Sequence, residues 1–368
     1  MDDSAAAMTN PSSVTFRPAN VDDKDEILKL HERSPTAGAR RDAAVWDWLF
    51  LRNTSSSNLY YFLAEADGAV VAQNATLPVR LSHGGKELGG LLSLHSATDP
   101  AFGGRGLFTT LGVKLYDAVA SERPLVFGFP NPASAPIFYK KLGWVELRPF
   151  PVFVRPLGNI RTRVAEWRPR LSPAAGLVDA IAPAALLPAR AAERRARRTG
   201  ARVVALDGFG SWADRLWEEL QPALGTCAVR DAAFLQWRFC DSPFRYKRYG
   251  LDRGSGPVGF AVLRARPGGF ADLMELMVRP GDATGAELLL ARATRDAWAS
   301  GAIALRAIIS PRHPHRSAFL KMGFLRMPRR LRKSYSFGVC VLDRSSVTPN
   351  ALLHIDDWYI SGADYDFI

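Results

Sequence analysis

An internal repeat constrains the fold of this chain more than any other feature. The segment Ala43–Phe50 (AAVWDWLF) is similar to Ala232–Phe239 (AAFLQWRF), at an offset of 189 positions. Later in each half, residues 138–144 (FYKKLGW) are similar to residues 318–324 (AFLKMGF), at an offset of 180. A long period with similar patterns in both halves predicts two copies of one structural unit.

Strand and helix patterns follow the same order in both halves. Apolar, β-branched runs predict strands, and apolar residues at four-residue steps predict helices. In the first half the predicted order is strands at Tyr60–Ala66, Ala69–Val79 and Leu88–Thr98, a helix through Leu107, Leu111, Leu115 and Val119, a strand at Leu125–Phe129 and a helix at Ala133–Leu142. In the second half the predicted elements are Val258–Ala265, Phe270–Val278, the helix Glu287–Trp298 and Ile303–Ile309.

Composition narrows the class of protein. The chain has 368 residues, of which 47% are hydrophobic, and 48 basic against 36 acidic residues give a net charge of +12. Residues 156–200 contain nine arginines and three acidic residues, so half of the charge surplus lies in one segment. We expect neither a membrane span nor a nucleic-acid partner, because long apolar runs and nucleic-acid-binding motifs are lacking. Three cysteines without a C-x-x-C pair and an acidic N-terminus without a signal pattern predict a cytoplasmic protein, either monomer or homodimer.

A glycine-rich turn is the most specific chemical feature. Residues 99–108 (DPAFGGRGLF) stand between a predicted strand and a predicted helix. Glycines there allow backbone N–H groups to face an anion, and the positive end of the helix dipole adds to the attraction. A plain chain reversal is the alternative explanation. The sequence patterns of a P-loop and of a dinucleotide-binding fold are both absent.

Together with residues 131–144 (NPASAPIFYKKLGW), this turn resembles the signatures of the GNAT family of acyl-CoA-dependent N-acyltransferases. The resemblance is good over residues 14–155 and looser over 203–342. It implies a tandem protein of the α/β (α+β) class, with two GNAT-like domains that each contain a mixed, mainly antiparallel, splayed sheet flanked by helices. The expected ranges are a disordered tail 1–13, a catalytic domain 14–155, a basic linker 156–201 with surface helices, a degenerate domain 202–342 and a docking tail 343–368.

The family resemblance also implies site residues. An acetyl-CoA or other short acyl-CoA co-substrate would place its pyrophosphate on the turn and its thioester carbonyl on a strand N–H, without any metal. The basic residue and final small residue of the family motif are replaced here by Gly103 and Phe108. The implied cofactor-binding residues are Ala97, Thr98, Asp99, Gly103, Gly104, Arg105, Gly106, Leu107 and Asn131.

Two residues are candidates for proton transfer. Tyr139 matches the family tyrosine that protonates the leaving thiolate, a step that suits a phenol because its pKa is near that of a thiol. His95 is placed two residues before the carbonyl-binding position, on the strand face of Ser93 and Ala97, and is the candidate general base. The alternatives are a core aromatic for Tyr139, a helix cap for Asn131, and a buried structural histidine or a water chain to Glu65 or Asp99 in place of His95.

The second half lacks the same chemistry. At an offset of 180, Tyr139 corresponds to Phe319, Asn131 to Pro311 and His95 to Glu275, and the turn contains Asp282, which would repel pyrophosphate. We therefore expect catalysis in the first half.

The acceptor is expected to be a small-molecule amine, with nucleotide-linked amino sugars preferred because the aromatic clusters resemble proteins of bacterial polysaccharide pathways. Candidate acceptor-binding residues are Glu275, Trp237 and Tyr246, with packing as the alternative role for each. A peptide, antibiotic or polyamine acceptor and a non-catalytic acyl-CoA-binding regulator remain alternatives.

Overall fold

The fold consists of two sheets with helices packed on their faces. The structure is a computed structural model that describes residues 13–34, 42–158, 186–265, 269–328, 336–345 and 352–365. The expected disordered tail and most of the expected linker lie outside these residues. The strands are β1 Thr15–Pro18, β2 Tyr60–Ala66, β3 Ala69–His83, β4 Lys86–Thr98, β5 Leu125–Gly128, β6 Val145–Glu146, β7 Val152–Pro156, β8 Arg202–Ala205, β9 Cys227–Ala228, β10 Lys247–Asp252, β11 Pro257–Arg264, β12 Phe270–Val278, β13 Ala304–Ile308, β14 Leu325–Arg326 and β15 Gly338–Val341.

The helices flank these strands in a repeated order. They are α1 Lys24–Arg33, α2 Ala43–Trp46 with a π-helical continuation Asp47–Leu51, α3 Leu107–Val119, α4 Ala135–Lys141, α5 Leu187–Arg197, α6 Ser211–Leu224, α7 Ala232–Phe239, α8 Ala283–Ala299 and α9 Arg316–Lys321. No helix in the described part of the chain is long and apolar enough to cross a bilayer. The strand predictions Tyr60–Ala66 and Phe270–Val278 are confirmed to the residue.

Both sheets have the same plan. The first has the order β1-β2-β3-β4-β5-β15-β6, with β9 added to β3, and the second has the order β14-β7-β13-β12-β11-β10-β8. Neighbouring strands are antiparallel except for β4 with β5 and β12 with β13, which are parallel. The turn between β2 and β3 is formed by Asp67 and Gly68, both with positive φ, as a tight hairpin with the right-handed strand twist requires.

The two halves exchange their last strands. Strand β15, from the end of the second half, pairs with β5 and β6 in the first sheet. Strand β7, from the end of the first half, pairs with β13 and β14 in the second sheet. The expected ranges 14–155 and 202–342 therefore each contribute their final strand to the other sheet. The two sheets cannot separate without losing backbone hydrogen bonds on both sides.

The repeated tryptophans meet between the halves. The rings of Trp48 and Trp237 stack with centroids 5.0 Å apart, and each indole N–H donates to the carbonyl oxygen of the other residue at 2.9 Å. Such reciprocal contacts are those of a two-fold symmetric interface, in which equivalent residues contact each other. The duplicated sequence thus folds as a pseudo-dimer within one chain.

Helix α5 lies in the segment that was expected to be a linker. Its buried alanines, Ala189, Ala192 and Ala196, join the core that contains α8. Arg195 forms an ion pair with Glu287 of α8, and Glu193 accepts from Arg295 at 2.8 Å. Part of the local arginine surplus is therefore used to attach this helix to the second sheet.

Candidate active site

The parallel strands β4 and β5 diverge partway along their length. Their last paired residues are Ser93 and Gly128, after which β4 continues to Thr98 while β5 ends. The register of β4 with β3 also shifts by one residue between Leu94 and Ala97, because His95 adopts a left-handed conformation with φ of 51°. A bulge of this kind bends the strand and disrupts its pairing. The gap between residues 94–98 and the chain that follows β5 is called the first splay.

The bulge changes which side chains share a face of β4. Leu92 and Leu94 before it pack in the same cluster as Ala97 after it, so the alternation reverses at the bulge. Ser93 consequently lies on the opposite face from His95 and Ala97, and the expectation that all three share one face is wrong. The regular alternation from which it was inferred does not survive the extra residue.

Backbone pairing narrows the position at which a carbonyl oxygen could bind in the first splay. The N–H of Asp99 donates to the carbonyl of Val71 at 2.8 Å and is therefore already used. In an antiparallel ladder alternate residues point their N–H groups to the same side, so Ala97 also faces β3. Thr98 directs its N–H toward the first splay. Of the three expected positions, Thr98 is the one with a donor directed into the gap.

The glycine turn leads into the N-terminus of α3. Gly104 and Gly106 have φ of 75° and 76°, and an added Cβ at either position would meet open space. Gly106 is the N-cap and provides no side-chain hydrogen bond to the first turn of the helix. The first backbone N–H groups of α3 thus face outward with the positive end of the dipole. An anionic phosphate fits this surface without displacing a side chain.

Two further predicted residues flank this turn. The Arg105 guanidinium lies over the Phe102 ring at 4.7 Å and is exposed. The Asp99 carboxylate accepts from Arg33 at 2.8 Å, and this contact together with the Ala101 N–H lowers the pKa of Asp99. The carboxylate is held by α1, on the side of the strand end, and does not cap α3. Leu107 is buried under the first turn of α3.

Asn131 initiates the turn before α4. Its side-chain oxygen accepts from the N–H groups of Ala133 and Ser134, at 3.0 and 2.9 Å. The amide oxygen therefore stabilises the turn before α4, whereas the N-cap of that helix is Ser134.

Tyr139 projects from α4 over the exchanged strand. A Cβ on Gly338 of β15 would lie 3.0 Å from its hydroxyl oxygen. The hydroxyl shares a hydrogen bond of 2.5 Å with Ser336, which donates to the exposed Glu146 at 3.1 Å. Burial raises the pKa of Tyr139 to about 12, so the phenol keeps its proton at neutral pH. The second half of the chain thus supplies the residue that orients this phenol.

His95 is enclosed rather than open to a ligand. It is 6% exposed, and its ring lies 6.4 Å from Phe50 and 6.0 Å from His31, both in edge contacts. The Gln73 amide donates to the His95 carbonyl and contacts His31. The imidazole is packed behind the bulge among aromatic rings, so it lies apart from the cavity described below.

The second half has a corresponding gap between β12 and β13, called the second splay. Pairing of these strands ends at Leu273 and Ala307, and β12 continues to Val278. The gap is filled by residues 358–364, called the C-terminal segment. Within this segment Gly362 approaches Met274 so closely that a Cβ would lie 2.8 Å from the Met274 Cα.

Glu275 anchors the C-terminal segment and has no free oxygen for an acceptor. Its carboxylate accepts from Tyr359 at 2.6 Å, Ser361 at 2.7 Å, Arg230 at 2.9 Å and the Leu276 N–H at 3.2 Å. The expected role of Glu275 in acceptor binding is therefore corrected to a structural one. A buried carboxylate requires such partners because desolvation would otherwise be too costly.

A pocket with a cavity volume of about 50 Å³ lies between the halves, beside the first splay. We call it the central pocket. It is bounded by Leu92, Leu94 and Phe127 of β4 and β5 on one side and by the stacked pair of tryptophans on the other. Most of its lining is apolar or aromatic. The charged residues Arg238 and Asp364 also line it, and neither was singled out from the sequence as a site residue.

The two expected acceptor residues of α7 and its neighbourhood differ in position. Trp237 lines the central pocket, and its indole N–H donates to the Trp48 carbonyl. Tyr246 lies behind the pocket, where its hydroxyl accepts from Arg238 at 2.8 Å. Tyr246 thus orients a pocket residue. Among the described residues no cluster of three or more His, Cys, Asp or Glu side chains is arranged to hold a metal ion.

Comparisons with known proteins give a domain match for the first half and similar folds for the whole chain. Residues 15–146 match the family model of the acetyltransferase (GNAT) domain. The chain is similar in fold to a GCN5-related N-acetyltransferase from Kribbella flavida (16% identity, 90% of this chain and 72% of that one, TM-score 0.57). It is also similar to one from Anabaena variabilis (9% identity, 90% and 73%, TM-score 0.60). A probable N-acyltransferase from Enterococcus faecalis gives 12% identity, 90% and 73% coverage and a TM-score of 0.56.

At these identities the structural similarity establishes the fold, and the fold is that of two GNAT-like domains in one chain. The expected fold class is confirmed. No curated protein matches the chain by sequence.

Proposed function

We propose that this protein is an N-acyltransferase that moves an acetyl or other short acyl group from coenzyme A to a primary amine, with the reaction in the first half. One observation carries the proposal. The first splay opens beside the N-terminus of α3, which has no side-chain cap. The glycines of the turn that precedes this helix leave space for a phosphate. The match of residues 15–146 to the acetyltransferase domain supports the same function.

The chain offers a place for each part of acyl-CoA. Backbone N–H groups from Gly104 to the first turn of α3 would bind the pyrophosphate, with the exposed Arg105 nearby. The Thr98 N–H would bind the thioester carbonyl and withdraw electron density from its carbon. This donor belongs to a paired strand, so it is fixed before the substrate arrives and costs no reorganisation.

The transfer exchanges one bond for another. The amine nitrogen forms a C–N bond with the acyl carbon while the C–S bond breaks and its electron pair passes to sulfur. The sulfur takes a proton from Tyr139, whose raised pKa keeps that proton available. An amine that binds as its ammonium ion first loses one proton to water, and the nitrogen loses a second proton to water as the amide forms. The phenol is reprotonated from solvent through the exposed Glu146 and Ser336.

His95 is left out of this mechanism. Its ring is buried between Phe50 and His31 and does not line the central pocket. An amine bound in that pocket would not reach it directly. We assign His95 to holding the bulge of β4.

The lining of the central pocket guides the choice of acceptor. A nucleotide-linked amino sugar would bring phosphates and several hydroxyl groups, whereas most of the residues around the pocket are apolar or aromatic. We therefore place an apolar amine ahead of the nucleotide sugar, and ahead of polyamines and aminoglycoside-like antibiotics.

Thiol release tests the proposal. Purified protein is mixed with acetyl-CoA and a panel of amines, including apolar amines, amino sugars linked to nucleotides, spermidine and peptides, and free thiol is measured. We expect release with at least one amine and binding of coenzyme A by calorimetry. Binding without release from any amine would instead favour a regulatory acyl-CoA-binding protein, and absence of both would refute the proposal.

A further inference from the structure

The central pocket contains a buried cation in apolar surroundings. Arg238 is 4% exposed, donates from Nε to the Ala363 carbonyl at 3.0 Å and from Nη1 to the Tyr246 hydroxyl at 2.8 Å. Its guanidinium also lies 5.4 Å from the centroid of the Trp48 ring. These partners are neutral. Among the described residues no carboxylate lies within ion-pair distance of Arg238.

These contacts leave some donors of the Arg238 guanidinium without a protein partner. A guanidinium has five N–H donors, and two are used by the carbonyl and the hydroxyl. Nη2 has no hydrogen-bond partner in the described part of the chain, and Arg238 lines the pocket. A carboxylate is the group that a guanidinium binds best, because two parallel N–H donors match its two oxygens.

A buried anion lies at a second point of the pocket. Asp364 lines it and uses one oxygen, Oδ2, to accept from Arg230 at 2.6 Å and from the Ser361 N–H at 2.9 Å. The following residue, Tyr365, packs its ring 4.8 Å from Phe129, the first residue after β5. Asp364 is therefore near the end of the pocket where the first splay opens.

The local charges favour a zwitterion over a simple anion. Arg230, Glu275 and Asp364 form one buried group with an excess of one negative charge, and Arg238 adds one positive charge separately. A ligand with both an ammonium and a carboxylate group would satisfy both signs, whereas a ligand with one charge would leave the other without a counterpart.

We propose that the acceptor is a hydrophobic α-amino acid, whose carboxylate binds Arg238, whose ammonium group is held by Asp364 and whose side chain lies among the apolar residues of the central pocket. This inference rests on the proposed N-acyltransferase function and specifies its substrate class. Small-molecule sites are lined mostly by apolar and aromatic side chains with a few polar groups, as this pocket is, and the stacked tryptophan pair gives an aromatic wall for the side chain.

The test compares matched amines with the wild-type protein and acetyl-CoA. L-Phenylalanine is paired with phenethylamine, and L-leucine with isoamylamine, so that each pair differs only in the carboxylate. We expect kcat/KM to be about 10- to 100-fold higher for the amino acid of each pair, the range expected for a hydrogen bond to a buried charge. Equal or faster turnover of the amines without a carboxylate would overturn the inference and leave the N-acyltransferase function in place.

Variants of Arg238 test whether this residue causes the preference for the amino acid over the amine without a carboxylate. Arg238→Met should raise KM for L-phenylalanine by about 10- to 100-fold and leave phenethylamine within about twofold. The exposed Arg245→Met is the matched control and should change neither substrate. If Arg238→Met does not fold, Arg238→Gln, which keeps hydrogen-bond donors but removes the charge, replaces it, and an unchanged preference in a folded variant would contradict the assignment.

Calorimetry separates this inference from the proposed function. Binding of L-phenylalanine is measured without acyl-CoA, together with N-acetyl-L-phenylalanine, which keeps the carboxylate and lacks the ammonium group. We expect the amino acid to bind and Asp364→Asn to weaken it more than it weakens the acetylated compound. Amino-acid binding without thiol release would retain the ligand class and refute catalysis. Thiol release with other amines but no amino-acid binding would retain catalysis and refute the ligand class.

Discussion

The N-termini of α3 and α8 show how two copies of one fold diverge. Helix α3 begins at Gly106, which has no side chain and leaves the first N–H groups open. Helix α8 begins at Asp282, whose carboxylate accepts from the Gly285 N–H at 2.9 Å and forms an ion pair with Arg253. A carboxylate cap already satisfies the dipole and repels a phosphate. The same backbone thus has an open helix N-terminus in one half and a capped one in the other.

Like the two helix N-termini, the two splays differ in whether they are open or filled. The first lies beside the central pocket, whereas the second is filled by Tyr359, Ser361 and Gly362 of the C-terminal segment. The exchanged strands and the stacked tryptophans keep the second half, whose splay is filled, attached to the first half, whose splay is open. We infer that the second half serves the first, by completing the pocket and orienting Tyr139 through Ser336. The following predictions test this division.

The largest expected effect concerns the anchor of the C-terminal segment. Arg230→Met would leave the carboxylates of Glu275 and Asp364 buried without their shared cation. We expect the free energy of unfolding to fall by about 3–5 kcal/mol, as for other buried ion pairs that lose one partner. Urea denaturation measures this value. Arg253→Met, which removes a partly exposed ion pair, should cost under about 1 kcal/mol. Similar costs for both variants would mean that the segment is not anchored through Arg230.

The next effect tests the difference between the helix ends. Gly106→Asp places a carboxylate at the N-cap of α3, as in α8, and should weaken coenzyme A binding by about 100-fold through charge repulsion and occupied N–H groups. Calorimetry gives the dissociation constant. Gly281→Asp adds the same charge at an exposed glycine of the second turn, with φ of 87°, and should leave binding unchanged. A comparable loss in both variants would place a second coenzyme A site in the second half.

A smaller effect is expected at the phenol of α4. Tyr139→Phe should lower kcat by about 30-fold, below the usual contribution of a general acid because a thiolate is already a good leaving group. Since burial raises the pKa of Tyr139 to about 12, kcat of the wild type should show no decrease from loss of the phenol proton between about pH 8 and 10. Tyr249→Phe removes a second-half phenol and serves as control. Unchanged turnover in Tyr139→Phe would remove this residue from the mechanism.

Local patterns predicted much of the fold. The duplication, the hairpin at Asp67 and Gly68, and strands such as Phe270–Val278 follow from periodicity and turn residues. The strand exchange could not be predicted, since β7 and β15 have the same local pattern in either sheet and their pairing depends on long-range geometry. The bulge at His95 also escaped prediction, because a single extra residue leaves no periodic signal.

The site was predictable where backbone chemistry determines it. The glycines at positions 104 and 106 predict an uncapped helix N-terminus, and Asp282 predicts a capped one in the second half. Arg238 and Asp364 carried no comparable signal, because an arginine in an aromatic helix and an aspartate near the C-terminus are common. Only the fold brings both to one pocket. Their partner identities, such as Arg230 with Asp364, depend on contacts across more than one hundred positions.

The last prediction concerns the stability in acid of the second splay, and near pH 6 its effect is the smallest of the four. His313 packs against Tyr359 at 5.6 Å, and Ala133 stands at the equivalent position of the first half. Burial, and secondarily His315, lowers the pKa of His313 to about 3. Below about pH 6.5 the unfolded chain binds a proton at this residue while the folded chain does not, so stability falls with pH down to about pH 3. The contribution is up to about 1.4 kcal/mol per pH unit.

His313→Gln should remove this part of the pH dependence of the free energy of unfolding, measured at pH 4, 5 and 6, whereas the exposed His354→Gln should not. An identical slope in wild type and His313→Gln would show that acid acts elsewhere than in the second splay.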